Sequence, residues 1–258
     1  MTLLEVQRVT KKFGGVVANR DISFTFAEGQ IMGLIGPNGA GKSTLFNMIS
    51  AIFPPSSGQI FFKGRKISHL TPPEIAKLGI SRTFQNLQVF KNMTVIENVM
   101  VGQHTQGKAG MLSAALRLPS AKKEEQRLHE KAMEYLAFVG LEDVCEVRAG
   151  HLALGQLRLL ELARALATEP ELLLLDEIAA GLNHKETKEM AQLISKIRDM
   201  GISVFVVEHD MDLVMSICDR IIVLDQGEKI AEGIPREVQT NERVVRAYLG
   251  AEIDEEAV

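Results

Sequence analysis

Two kinds of hydrophobic pattern alternate along this chain: short runs of consecutive apolar residues, and stretches in which apolar positions recur every three or four residues. Ile31 to Ile35, Leu172 to Leu175, Ser203 to Val207 and Ile221 to Leu224 are of the first kind. Unbroken Val, Ile and Leu without polar alternation predict strands covered on both faces, the condition of a parallel sheet. Met190, Leu193, Ile194, Ile197 and Met200 are of the second kind and predict a helix over 185–200 with one face on that sheet. A strand, a helix and a strand in that order make a parallel crossover. The N-terminal part reads differently. Glu5 to Phe26 and Gln59 to Lys63 are strand-rich and carry Gly-Gly and Glu-Gly turn signals, which predict a small antiparallel sheet beside the parallel one. Between Thr94 and Arg148 strand signals nearly vanish, and Leu128, Ala132, Met133, Leu136 and Val139 predict an amphipathic helix closed by Gly140. Inside this helical region, Gly102 to Ser120 mixes polar residues, Gly and one short apolar piece, Met111 to Leu118, and reads as an exposed, partly helical insertion. The acidic end, Ile253 to Val258, reads as a fraying tail. The fold class is therefore α/β: a mainly parallel core, an N-terminal antiparallel β subdomain and an inserted α-helical subdomain.

Composition narrows the function without naming it. With 29 basic against 33 acidic residues the net charge is −4, which speaks against nucleic acid as principal partner, because phosphate backbones are bound by a basic excess. No apolar stretch approaches the roughly 18 residues of a spanning helix, and the first ten residues lack a basic-then-apolar leader, so the expected location is the cytoplasm. The two cysteines, Cys145 and Cys218, make no metal-like spacing and read as reduced, packed thiols.

The most specific chemistry lies in Gly36-Pro37-Asn38-Gly39-Ala40-Gly41-Lys42-Ser43-Thr44, a complete phosphate-loop pattern between a predicted strand and a predicted helix. Its glycines let the backbone curl so that successive N–H groups, with the helix N-terminus, face phosphate oxygens. Lys42 can reach the terminal phosphates, and the Ser43 hydroxyl can ligate Mg2+. A second constellation ends the strand at Leu175 with Asp176-Glu177. Ligands bind at that edge of open α/β sheets, where an Asp can hold Mg2+ through water and a neighbouring Glu can take a proton from attacking water. Taken alone, two acids after a strand are more often caps or loop solubilisers; the phosphate loop in the same chain reverses that weighting. His209, in Glu208-His209-Asp210 after the 203–207 strand, would reach the same edge and contact the γ-phosphate, although a lone His is more often structural. Gln85, after Ile80 to Phe84, is by itself an ordinary polar loop residue.

The ordered set Phe13, Gly36 to Thr44, Gln85, Leu152 to Gln156, Asp176-Glu177 and His209 resembles the nucleotide-binding subunits of ABC transporters, over nearly the whole chain. The insertion around Gly102 to Gln126, the tracts Asp176 to Asn183 and Val207 to Val214, and the ending Ala247-Tyr248-Leu249-Gly250 are similar to the ATPase subunits of branched-chain amino acid importers. The resemblance implies an ABC-type phosphate-loop ATPase with ATP and Mg2+ as cofactors. Its ATP-binding core would take 1–84 and 159–250, its helical subdomain 85–158, and a flexible tail 251–258. It makes Phe13 the aromatic that stacks on adenine, and Gln85 a residue that contacts metal and water and senses the membrane partner. Leu152 to Gln156 becomes the signature, whose Gly155 and Gln156 close over ATP held by the opposite subunit, and Ala180 to Asn183 the loop crossing between the two sites. Lys42, Gln85, Glu177 and His209 are then the catalytic set, and Ser43, Gln85 and Asp176 the metal set.

The implied partners are a second ATP-binding subunit, identical or a sister chain, separate transmembrane permease subunits, and an external substrate-binding protein, with the chain peripheral on the inner face of the cytoplasmic membrane. The helical lobe from Gln85 to about Arg148 is where a permease's cytoplasmic helix is expected to dock. Departures from the family pattern are Ala153 in place of the signature serine, Leu154 in place of its first glycine, Ile178 in place of proline and Asn183 in place of aspartate. Losing the serine removes a charge-assisted hydrogen bond, a cost of about 1.5 to 3 kcal/mol to ATP-driven closure. Other readings of the same machinery are the ATPase of a lipid or lipopolysaccharide exporter, a non-transport ABC ATPase, and a module that binds ATP without turnover.

Overall fold

A computed structural model describes residues 1–83, 87–103 and 119–255. The predicted Gly102 to Ser120 insertion therefore lies almost wholly outside the described residues. Two sheets organise the rest. One has the order β2-β1-β4-β5, built from β1 (Thr2–Phe13), β2 (Val16–Ala27), β4 (Ser57–Phe62) and β5 (Arg65–Lys66), with every pairing antiparallel. The other has the order β10-β9-β3-β8-β7-β6, from β3 (Ile31–Ile35), β6 (Ile80–Arg82), β7 (Leu172–Asp176), β8 (Ser203–Val207), β9 (Arg220–Asp225) and β10 (Glu228–Gly233). All its pairings are parallel except that of β10 with β9.

The unbroken apolar runs end up where their composition demands. Every residue of β3, β7 and β8 is buried. Because side chains alternate across a strand, each strand feeds two cores. Met32, Leu34, Leu172, Leu174, Phe205 and Val207 face the antiparallel sheet and the helix α1 (Lys42–Ile49). There Phe205 sits among Phe24, Phe26 and Phe46, with ring centroids 5.0 to 5.8 Å apart. Ile31, Ile35, Leu173, Leu175, Val204 and Val206 face the opposite way, into a core that also takes in the helical region.

That region consists of α3 (Val95–Gly102), α4 (Pro119–Val139) and α5 (Leu154–Leu166), which follow the short α2 (Pro72–Lys77). α3 begins on a full capping box, with the Glu97 N–H donating to Thr94 Oγ1 and the Thr94 N–H donating to Glu97 Oε2. α4 turns Ala132, Leu136 and Val139 inward and is followed by Gly140 at φ 75°, as its periodicity predicts. The crossover helix α6 (His184–Asp199) buries Met190, Ile194 and Ile197, and Asn183 caps it by accepting from the Lys185 and Glu186 N–H groups. The chain closes with α7 (Met211–Ile217), α8 (Pro235–Gln239) and α9 (Glu242–Glu255), the last running into the stretch read as a tail. No helix among the described residues is long and apolar enough to cross a membrane.

Candidate nucleotide site at the sheet edge

Parallel register decides what meets what. Leu34 of β3 is level with Val207 of β8, and Val207 is level with Asp176 of β7. The phosphate loop leaves β3 at Gly36, Glu208-His209 leaves β8, and Glu177 leaves β7, so three sequence-distant segments emerge side by side at one carboxyl edge. The expected Lys42, Asp176, Glu177 and His209 are thus brought to one place.

The loop is held from behind by β2 and by the turn between β9 and β10. Buried Asn19 donates from Nδ2 to the Gly41 carbonyl at 3.2 Å, and the Gly227 N–H donates to the Ala40 carbonyl at 3.2 Å. Gly41 has φ 94°, and a Cβ there would stand 2.5 Å from both Ala18 O and Asn19 Nδ2. Ser43 is exposed at the first turn of α1, its N-terminus open to an anion. Lys42 folds back, donating from Nζ to the carbonyls of Gly36 at 2.7 Å and Pro37 at 2.9 Å. Burial lowers its pKa from the ordinary lysine value, while the charges of Glu177 and Asp176 pull it up again. The same energetics state that Lys42 stands within electrostatic reach of both carboxylates.

Asp176 is 3% exposed, and its carboxylate is paired with Arg82 at 2.7 Å. Its N–H donates to Thr83 Oγ1 at 3.2 Å. Glu177 is half-buried with φ 50°, a left-handed conformation for a non-glycine residue, and its N–H donates to the Val207 carbonyl at 2.9 Å. That turn keeps Glu177 at the edge instead of letting it follow β7 away. His209 is exposed, its Nδ1 4.0 Å from Glu208 Oε2. Phe13 ends β1 47% exposed, braced edge-on by Phe53 at 5.3 Å, with Lys11 5.1 Å over its ring. An exposed, braced ring is a suitable stacking surface. Gln85 lies outside the described residues.

A divalent ion fits this donor set in one particular way. Among the described residues no three His, Cys, Asp or Glu side chains form a metal-holding group. Mg2+ keeps several waters and is commonly held by one or two protein oxygens plus substrate phosphates, so Ser43 and Asp176 suit an ion that arrives with a nucleotide.

Gly155 and Gln156 lie elsewhere, lining a cavity of ≈ 460 Å3 with Leu182 and Glu186. α5 begins there with Ala153 in N-cap backbone geometry, φ −66° and ψ 160°. Only the return half of a capping box exists, the Ala153 N–H donating to Gln156 Oε1 at 3.2 Å, because alanine offers no acceptor. Restoring a hydroxyl with Ala153→Ser should stabilise the subunit by about 1 kcal/mol, or roughly 2–4 °C in a thermal melt. If the hydroxyl also reaches phosphate, the nucleotide-dependent dimer seen by size exclusion should tighten in the same variant; an unchanged dimer would confine its role to the cap.

Sequence reasoning missed several residues of the site. Asn19 and Arg82 are two of them. Buried Glu208 is a third, its Oε1 accepting from the Ala179 N–H at 2.9 Å and so tying the segment after Glu177 to the segment bearing His209. Desolvation raises its pKa above the ordinary carboxylate value, partly offset by that N–H and by His209. A folded-state pKa above the unfolded one means the native protein holds more protons over that interval, so ionised Glu208 costs stability as pH rises above the ordinary carboxylate range. Glu208→Gln, which keeps the acceptor, should melt higher than the parent at pH 8, with the gap narrowing as pH falls toward 5; a gap independent of pH would contradict this. Tyr248 is the fourth: burial pushes its pKa up to about 12, with the Gly36 backbone pulling it partly back.

Comparison with known proteins agrees with this geometry. The family model described as ABC transporter matches residues 19–180. The chain belongs to the ABC transporter ATP-binding family. A second model, described as branched-chain amino acid ATP-binding cassette transporter, matches residues 228–254, the segment that carries Tyr248. The chain is 43% identical over 249 residues to the high-affinity branched-chain amino acid transport ATP-binding protein LivG of Salmonella typhimurium, covering 96% of this chain and 98% of that one. It is 42% identical to the corresponding protein BraF of Pseudomonas aeruginosa, over the same shares of the two chains. Among solved structures, the ADP conformation of an ATP-binding cassette of an ABC transporter superposes with a TM-score of 0.85 at 33% identity, over 97% of this chain and 99% of that one. A dimeric post-hydrolysis cassette bound to ADP and Pi superposes with a TM-score of 0.77 at 27% identity, over 91% and 99%. As an ABC ATPase this chain binds nucleotide.

Proposed function

We propose that this chain is the MgATP-hydrolysing subunit of an importer of branched-chain amino acids, seated on the cytoplasmic face of the membrane against separate permease subunits. The observation that carries the chemistry is the common sheet edge at which Lys42, Asp176, Glu177 and His209 emerge. The loop amides and Lys42 bind the phosphates, and the lysine exchanges the Gly36 and Pro37 carbonyls for phosphate oxygens. Ser43 and Asp176 would hold Mg2+, which would supply charge neutralisation to the phosphates. Glu177 orients the attacking water and accepts its proton, and His209 donates to the γ-phosphate. Phe13 stacks on the adenine. Gly155 and Gln156, away from this edge, serve the nucleotide of a second subunit, so the working unit is a dimer.

The cargo assignment rests on the names of the LivG and BraF relatives and on the match at 228–254. The docking assignment rests on a cleft of ≈ 800 Å3 between the lobe and the core, lined by Phe90 and Val101 on one side and Ser81 and Arg82 on the other. Pull-down from membranes in mild detergent should recover multi-spanning subunits and a sister ATPase. Deleting the chain should abolish uptake of radiolabelled leucine. Intact uptake with loss of lipid export would move the assignment to an exporter, and recovery of soluble partners alone would remove it from transport.

A further inference from the structure

Arg82 closes β6, and its guanidinium joins three elements that sequence does not connect. Nη2 donates to Asp176 Oδ2 at 2.7 Å, while Nη1 donates to Asn47 Oδ1 and to Ser50 Oγ, each at 2.7 Å. Asn47 lies on α1 and Ser50 is its C-cap, so the fork spans from the end of β7 to the helix that begins with Lys42. The paired side chains are 9% and 4% exposed, and the guanidinium carbon stands 5.7 Å from the Phe46 ring centroid. The Asp176 N–H on Thr83 fixes the backbone beneath the carboxylate.

Such an arrangement does more than balance a buried charge. An ammonium would neutralise Asp176 as well, but it is a point donor on a flexible stem, whereas the planar guanidinium, anchored through Nη1 on Asn47 and Ser50, holds Nη2 at a fixed point against Asp176 Oδ2. Mg2+ demands near-ideal octahedral geometry, so an oxygen presented at the wrong angle is a poor partner even when its charge is unchanged. With Oδ2 held by Arg82, Oδ1 is the Asp176 oxygen that would be left for an ion.

We propose that Arg82 is a positioning residue for the divalent-ion site: it sets the angle of the Asp176 carboxylate to the phosphate-loop helix, and metal affinity depends on its forked geometry rather than on its charge. The inference rests on Asp176 as the protein carboxylate facing the ion, so the test includes a separate check of that premise. Mn2+ binding to the full chain saturated with ADP is titrated by electron paramagnetic resonance, with ADP binding in EDTA measured alongside. Arg82→Lys keeps the charge and should weaken Mn2+ binding about tenfold, the usual effect of losing a group that orients a metal ligand. Asn47→Ala keeps the ion pair and removes one anchor; it should weaken Mn2+ about threefold and remains informative if Arg82→Lys does not fold. ADP affinity in EDTA should stay within about twofold in both, since neither residue is a phosphate donor. Parental Mn2+ affinity in these variants, alongside weakened binding in Asp176→Asn, would overturn the positioning role and reduce Arg82 to charge balance. Parental affinity in Asp176→Asn itself would overturn the premise and the inference with it.

Discussion

Glu177→Gln should stop ATP turnover while leaving nucleotide binding nearly untouched. The substitution preserves side-chain length and one hydrogen-bonding oxygen, and it does not disturb the backbone bond from the Glu177 N–H to Val207. It removes the capacity to accept a proton, together with one negative charge near Lys42. General-base contributions are about 10² to 10⁴ in rate, so phosphate release should fall at least a hundredfold. ATP affinity should move by less than about threefold, because the loop amides and Lys42 that bind phosphate are unaltered. A second consequence follows from separating binding from hydrolysis: with the closing ligand no longer consumed, the ATP-bound dimer should accumulate on size exclusion. Retention of a tenth or more of the parental rate would remove Glu177 from the proton-accepting role. The left-handed backbone at φ 50° gives a further control: Glu177→Ala and Glu177→Gly both delete the carboxylate, but only the glycine relaxes that conformation, so the difference between them reads the strain.

The parts of this fold that were legible in the sequence are those whose signal is local. Four leucines before Asp176 can be buried only as a central strand, and β7 is buried throughout. The phosphate loop is contiguous, and its flanking strand and helix announce themselves within a few residues. The acid pair and His209 were legible because strand ends at the carboxyl edge of a parallel sheet are where ligands bind, a rule that needs no knowledge of strand order. Arg82 was not legible because its partners depend on β6 lying beside β7, with α1 crossing over them. A signal was nevertheless present. Arg82 sits between the apolar Ile80 and Phe84, in Ile80-Ser81-Arg82-Thr83-Phe84, and a charge drawn into a covered strand must have a buried partner. Glu208 carries the same signal, a carboxylate directly after five buried residues. Asn19 and Tyr248 give no comparable warning: an Asn in a mixed strand and a Tyr near the C-terminus are unremarkable until the fold brings them to the loop. The signature presents the reverse case. Ala153 and Leu154 are visible as departures in the sequence, yet only the N-cap geometry shows that the missing hydroxyl is a helix cap as well as a candidate phosphate donor.

Gly36→Ala should cost both the fold and the nucleotide site, and the structure gives the reason in distances. Gly36 has φ 152°, where a side chain is strained, and an added Cβ would stand 2.1 Å from Leu224 O and 3.1 Å from the Ala40 side chain. The first of these is a backbone oxygen of β9, a strand that lies between β10 and β3 with Leu224 in register with Lys229, so it cannot retreat without disturbing the sheet. The loop itself would have to move, and with it the Gly36 carbonyl that receives Lys42. Backbone strain and forced overpacking each cost about 1 to 3 kcal/mol, so a loss of about 3 kcal/mol or more is expected, read as a fall in the chemical-denaturation midpoint. Gly39→Ala is the matched control. Gly39 also has positive φ, 75°, but a Cβ there meets nothing within 4 Å. It should therefore pay only the conformational term, about 1 to 2 kcal/mol without nucleotide. If the two variants were equally stable, close approach to β9 would not be what fixes the start of the phosphate loop. If Gly36→Ala were much the weaker and also failed to bind ATP, the strand beneath the loop would be as much a part of the nucleotide site as the residues that touch phosphate.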